Sequence, residues 1–144
     1  MANIIYNSAL KKISDADIDF ASDTIKVALL SNLYTPNRDS HDFLNDVNTN
    51  EITAVGYTTG GATLSGVTTT QDNSGDLCKI DANDVSWTIT GSLTARYAVI
   101  YKSTGVASTS ALIALIDFGT DKSVVDNTFT ITWSASGIIT VKQA

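Results

Sequence analysis

The residue types that do chemistry are scarce in this chain. It has one His (His41), one Cys (Cys78) and one Glu (Glu51) among 144 residues. Ser40-His41-Asp42 holds the three side-chain types of a nucleophile–base–orienter relay. Side chains adjacent in sequence do not assemble that relay, and no G-x-S-x-G elbow occurs. A hydrolase would have to be built around His41 alone. Asp15-Ala16-Asp17-Ile18-Asp19 has the D-x-D-x-D opening of a calcium loop. An EF-hand also needs Gly at its sixth position and a bidentate Glu at its twelfth. Those places hold Phe20 and Lys26, so an acidic turn is expected. Asp72-Asn73-Ser74-Gly75-Asp76 offers oxygens to a cation, yet Gly and Asn serve a tight turn equally well. Fourteen Asp leave paired carboxylates for glycoside hydrolysis open on numbers alone. Most of them stand beside Asn, Ser or Gly, as turn residues do. Walker and Rossmann glycine patterns do not occur. The expectation is a chain with no catalytic, cofactor-binding or metal-ligating residue, whose function lies in its surface.

The elements available to shape that surface are mostly strands. Residues 3–18 are the exception. Ile5, Ala9 and Ile13 recur every four residues, and Tyr6 and Leu10 extend the stripe, so a short helix with a break near Ser14 is predicted inside an N-terminal helical segment, residues 1–20. Residues 24–30 alternate, with Ile25, Val27 and Leu29 on one face. Residues 31–47 form a long irregular loop containing the only proline, Pro36, and a helical turn capped by Ser40. A connection of this length is unusual enough to suggest a role. Weak strand material follows at 51–57, then strands at 67–71 and 77–80. Val85, Trp87 and Ile89 alternate with Ser and Thr, as do Phe129, Ile131 and Trp133. Residues 96–101 and 112–118 are near-continuous apolar runs, expected of central strands covered on both faces. Residues 138–141 close the chain. Gly91, Gly105, Gly119 and Gly137 punctuate the strands. Short strands at this spacing predict a mainly β fold, an antiparallel β-sandwich or jelly-roll-like barrel with a short N-terminal helix. Val99, Ile100, Trp87, Ile113, Ile131 and Trp133 are the expected core. Tyr97 and Phe129 are expected to pack with them, leaving Tyr6, Tyr34, Phe43 and Tyr57 as candidates for a contact surface.

Length and composition agree with one domain spanning residues 1–144. Hydrophobic residues make up 43% and mean hydropathy is +0.08, values that suit a folded chain. Twenty Thr and fifteen Ser fill the polar faces. The net charge is −6 with a pI near 4.4, and the nine Lys and Arg are scattered except for Lys11-Lys12. A nucleic-acid binder would carry a basic patch, so no nucleic-acid partner is expected. A single Cys excludes an internal disulfide and any CxxC metal site. The first residues lack the basic region of a secretion signal. No apolar stretch approaches the roughly 20 residues of a membrane helix. Cytoplasmic synthesis with no membrane partner is therefore expected.

Several stretches resemble small virion proteins of tailed bacteriophages. They are Asp19-Phe20 with Asp23-Thr24-Ile25-Lys26-Val27-Ala28-Leu29-Leu30, then Tyr34-Thr35-Pro36-Asn37 and His41-Asp42-Phe43-Leu44. Residues 94–102 (Thr-Ala-Arg-Tyr-Ala-Val-Ile-Tyr-Lys), 112–119 (Leu-Ile-Ala-Leu-Ile-Asp-Phe-Gly) and 129–133 (Phe-Thr-Ile-Thr-Trp) carry the same likeness. The resemblance implies a non-enzymatic particle component located in the virion. By analogy with jelly-roll cement proteins, it implies a capsid decoration or cement protein binding between capsomers, with the major capsid protein or another virion protein as partner. A neck or tail component is the alternative, and a carbohydrate-binding sandwich is the non-viral one. A decoration protein usually works as a closed oligomer, and a homotrimer is favoured over a dimer or monomer. Ile5, Tyr6, Leu10 and Ile13 of the helical stripe, and Leu33, Tyr34, Phe43 and Leu44 of the loop, are the expected interface. They are apolar and lie outside the strand pattern. The competing expectation is that the helix simply caps the open end of the sandwich.

Overall fold

The computed structural model describes residues 3–144. A two-residue strand β1 (Ile4–Ile5) leads into helix α1 (Asn7–Ser14). There follow β2 (Ile25–Leu30), two 3-10 turns (Leu44–Asp46 and Asn48–Asn50), β3 (Ala62–Thr63), β4 (Thr68–Asp72) and β5 (Leu77–Asp81). The chain continues through β6 (Val85–Thr88), β7 (Ser92–Lys102), β8 (Leu112–Val125), β9 (Thr128–Ile131) and β10 (Ile139–Lys142). All pairings are antiparallel. A five-stranded sheet has the order β1-β8-β7-β2-β3, a three-stranded sheet the order β10-β5-β4, and β6 pairs with β9.

The apolar runs sit at the centre, as a strand covered on both faces requires. Residues 27–30 of β2, 97–101 of β7 and 112–115 of β8 are all buried. One face of this sheet carries Ile25 and Ile100, which meet Ile80 of β5 and Ile139 of β10. The opposite face carries Tyr97, against which Tyr34 packs edge-on at 5.8 Å. That second face is covered by α1 and by the long connection after β2. One hydrophobic cluster includes residues of all three sheets.

The N-terminal helical segment is shorter than residues 1–20. Its helix occupies only Asn7–Ser14, and no side chain caps its start. Ala9, Leu10, Lys11 and Lys12 favour helix, and the two lysines in the last turn suit the negative end of the helix dipole. The break near Ser14 occurs as expected, with Ala16 in the left-handed region at φ 63°. Ile5 lies in β1 rather than on the helix.

The connection after β2 runs on to Gly61 with only 3-10 turns and isolated bridges. The helical turn lies at Leu44–Asp46, not at 40–44, and Ser40 does not cap it. Asp46 does that work: its carboxylate accepts the N–H groups of Asp42 and Phe43 at 2.8 and 2.9 Å. These bonds hold its carboxyl below the usual range against the opposing effect of its partial burial. Residues 51–57 form no strand. Glu51 instead accepts from the Tyr57 hydroxyl and the Gly60 N–H, both at 2.7 Å. The Tyr57 hydroxyl also accepts the Leu29 N–H at 2.9 Å. The chain's one glutamate thus ties this segment to β2.

Candidate binding groove

The main groove arises because β8 and β9 part company. On one side β8 pairs along its length with β7. On its other side β1 covers only Ala114 and Leu115, so the outer edge from Ile116 onward has no strand partner among the described residues. The turn between β8 and β9 is pinned elsewhere: Asp126 N–H donates to the Gly91 carbonyl and Gly91 N–H to the Asp126 carboxylate, both at 2.8 Å. From that turn β9 leaves to pair with β6. The two strands diverge around a groove of about 670 Å³.

Its floor is apolar, with Ile116, Phe118, Phe129, Ile138 and Trp133, and its rim carries Thr130, Thr132, Ser123 and Lys122. The Phe118 and Phe129 rings lie 6.1 Å apart. Trp133 is held by its backbone N–H on the Asp84 carboxylate (3.0 Å) and its indole N–H on the Asn83 carbonyl (2.9 Å). It is only half-buried, which corrects its expected place in the core: β9 pairing ends at Ile131, and Trp133 lies beyond it. The other expected core residues, Val99, Ile100, Trp87, Ile113 and Ile131, are buried.

A bulge in β8 aims Phe118 and Lys122. Between the pairs Ala95–Lys122 and Tyr97–Asp117, residue Arg96 stands opposite residues 118–121. Asp117 anchors the bulge, accepting from Arg96 Nε at 2.9 Å and Gly119 N–H at 2.8 Å. Burial would raise the Asp117 carboxyl, but these donors bring it down to about 2. Asn32 donates to Asp121 at 2.7 Å and fixes the far side.

The lining offers apolar surface, hydroxyls and backbone edges, with Lys122 as its one ionisable side chain. That set can hold a ligand but supplies no acid–base pair. Elsewhere, His41 hydrogen-bonds through Nδ1 to the Tyr34 hydroxyl at 2.8 Å, and that hydroxyl meets Tyr6 at 3.0 Å. The His41 ring therefore bonds Tyr34, not Ser40 or Asp42. Asp19 and Asp72 each accept hydrogen bonds from the turns that follow them. Among the described residues no group of three His, Cys, Asp or Glu is placed to hold a metal ion. No helix among them is long and apolar enough to cross a membrane.

The expected interface residues do not form one surface. Tyr6 and Tyr34 are 0% and 3% exposed, and Leu44 is also buried. These three are corrected to core positions: they cover the second face of the five-stranded sheet and are not available to a partner. Tyr57 is buried too, its ring packed 5.6 Å from that of Trp87. Ile5, Ile13 and Phe43 are half-buried against the core. Leu10, at 50%, and Leu33, at 79%, remain exposed. The groove residues Phe118, Lys122, Thr130 and Thr132 were not among the sequence candidates. One signal pointed to them: residues 128–133 put Thr at every polar position, with no charge to protect a strand edge.

No protein-family model, curated protein or solved structure matches this chain.

Proposed function

We propose that this chain is a non-enzymatic structural component of a tailed-bacteriophage virion, acting as a capsid decoration or cement protein that binds between capsomers. Its sequence resemblance motivates the assignment. One structural observation carries it: the principal groove pairs an apolar floor with an uncharged strand edge, a combination suited to holding another chain. The Thr and Ser surface fits the same role, since these side chains lose less entropy on contact than Lys or Glu do. The sheets are read as sandwich-like, supported by Ile80 and Ile139 lying against Ile25 and Ile100. A homotrimer remains the proposed state, with Leu10 and Leu33 as its exposed apolar contacts.

Separated heads and tails of the phage encoding this chain, probed with an antibody against it, test the location. Labelling of heads, with weakened heads after its removal, is expected. Labelling confined to tails or necks would replace the cement role by the tail alternative. Its absence from purified particles would overturn the virion assignment.

A further inference from the structure

We infer that the groove between β8 and β9 receives an extended segment of another polypeptide, which adds to β9 as a strand and places an acidic residue opposite Lys122. The pairing register leads there first. Ile89 N–H bonds the Asn127 carbonyl at 3.0 Å, and antiparallel alternation then turns the backbone of Phe129 and Ile131 toward β6. The N–H and C=O of Thr130 therefore face the groove. Thr128 N–H is taken by the Asn127 side chain at 2.8 Å, but its carbonyl faces the same way.

The other edges of the fold are managed. β1 and β3 have two residues each. β4 ends in Asp72 and β10 carries Lys142. β6 is bracketed by backbone bonds from Asn83 to Ser65 and from Thr90 to Val55. Among the described residues, β9 presents an edge without charge or proline above Phe118 and Trp133. Such an edge is a template for strand addition.

Charge and shape identify the occupant. Among the described residues, Lys122 is the only ionisable side chain lining the groove, and it forms no ion pair, in a chain of net charge −6. An acidic residue in the incoming strand complements it. A second copy offering its own β9 does not fit, because that edge lies in the same recess. A free arm of a different protein does. That the arm belongs to a neighbouring particle protein rests on the virion proposal; strand acceptance by the groove does not.

The test is a titration of the ¹⁵N-labelled full chain with the capped peptide Thr-Val-Asp-Val-Thr-Val-Thr, followed by amide shifts and hydrogen exchange. Saturable shifts and slowed exchange at Thr130 are expected. Methylating alternate backbone nitrogens on the pairing edge of the peptide should weaken binding at least about ten-fold, since it removes the strand hydrogen bonds. Lys122→Glu, with an unchanged spectrum elsewhere, should weaken the acidic peptide about three- to five-fold and favour a peptide with Lys in place of Asp. No saturable shift at about 1 mM, equal binding of the N-methylated peptide, or indifference to Lys122→Glu would each overturn the proposal. So would self-association that the peptide displaces, since a second copy would then fill the groove. None of these outcomes bears on whether the protein is found in the particle.

Discussion

Replacing Tyr34 by Phe should destabilise the chain more than replacing Tyr6, although the two hydroxyls share one hydrogen bond. Tyr6 is fully buried, and its hydroxyl bonds that of Tyr34 at 3.0 Å. Tyr34 has a second partner, His41 Nδ1 at 2.8 Å. Tyr34→Phe therefore strands the Tyr6 hydroxyl away from water and also strips His41. Leaving a buried polar group unsatisfied costs about 1–3 kcal/mol. Tyr6→Phe leaves Tyr34 still bonded to His41 and should cost only about 0.5–1.5 kcal/mol. The double variant removes both ends of the bond, so its cost should fall short of the sum by about 1 kcal/mol. Urea unfolding measures all three, with an unchanged slope to show that the transition stays comparable. Equal costs for the two single variants, or strict additivity, would refute the view that this chain of hydroxyls holds α1 and the long connection against the sheet.

Three further outcomes are expected. Burial pushes the Tyr101 hydroxyl up to about 12, with Glu51 adding to the effect, and the hydroxyls of Tyr6, Tyr34 and Tyr57 also lie above the ordinary 10. The folded chain keeps those protons where the unfolded chain loses them, so stability should be full below pH 10 and fall as pH rises toward 12. Tyr101 alone accounts for roughly 3 kcal/mol; a urea midpoint unchanged at about pH 11 would contradict this. Gly61→Ala should cost at least about 2 kcal/mol by thermal unfolding, because Gly61 has φ +75° and a Cβ there would meet the Val27 carbonyl oxygen at 1.8 Å. Trp87→Ala should cost about 3–5 kcal/mol and half-buried Trp133→Ala clearly less, about 1–2 kcal/mol, in the same assay; the reverse order would refute the placement of Trp133 at the groove.

The strands that were legible are those whose pattern is local. Alternation at Val85-Ser86-Trp87 and the unbroken runs in β7 and β8 depend only on which faces are covered, and they identified mainly antiparallel β structure. The cover for the second face was misassigned. Tyr6, Tyr34 and Leu44 looked spare because they stand outside the strand pattern. Yet a strand such as residues 97–101, apolar on both sides, requires partners on both sides. β5 and β10 serve one face, so the remaining apolar groups had to serve the other. Residues outside a periodic pattern are spare only after every face has been covered.

The groove was less legible because it depends on where pairing stops. Nothing local to residues 112–125 says that β1 covers only Ala114 and Leu115, or that Arg96 faces a four-residue bulge. Both are register facts joining residues far apart in sequence, and shifting a register by one residue exchanges the faces. What the local sequence did carry was chemical. Thr-Phe-Thr-Ile-Thr-Trp at 128–133 puts neutral hydroxyls where an exposed edge would need charge. The edge strands β4 and β10 end in Asp72 and Lys142. Along β9 no charge stands, and an apolar floor with Lys122 beside it lies below, which suits a strand-accepting edge. A Lys or Glu at position 130 would protect the edge and block an incoming chain together.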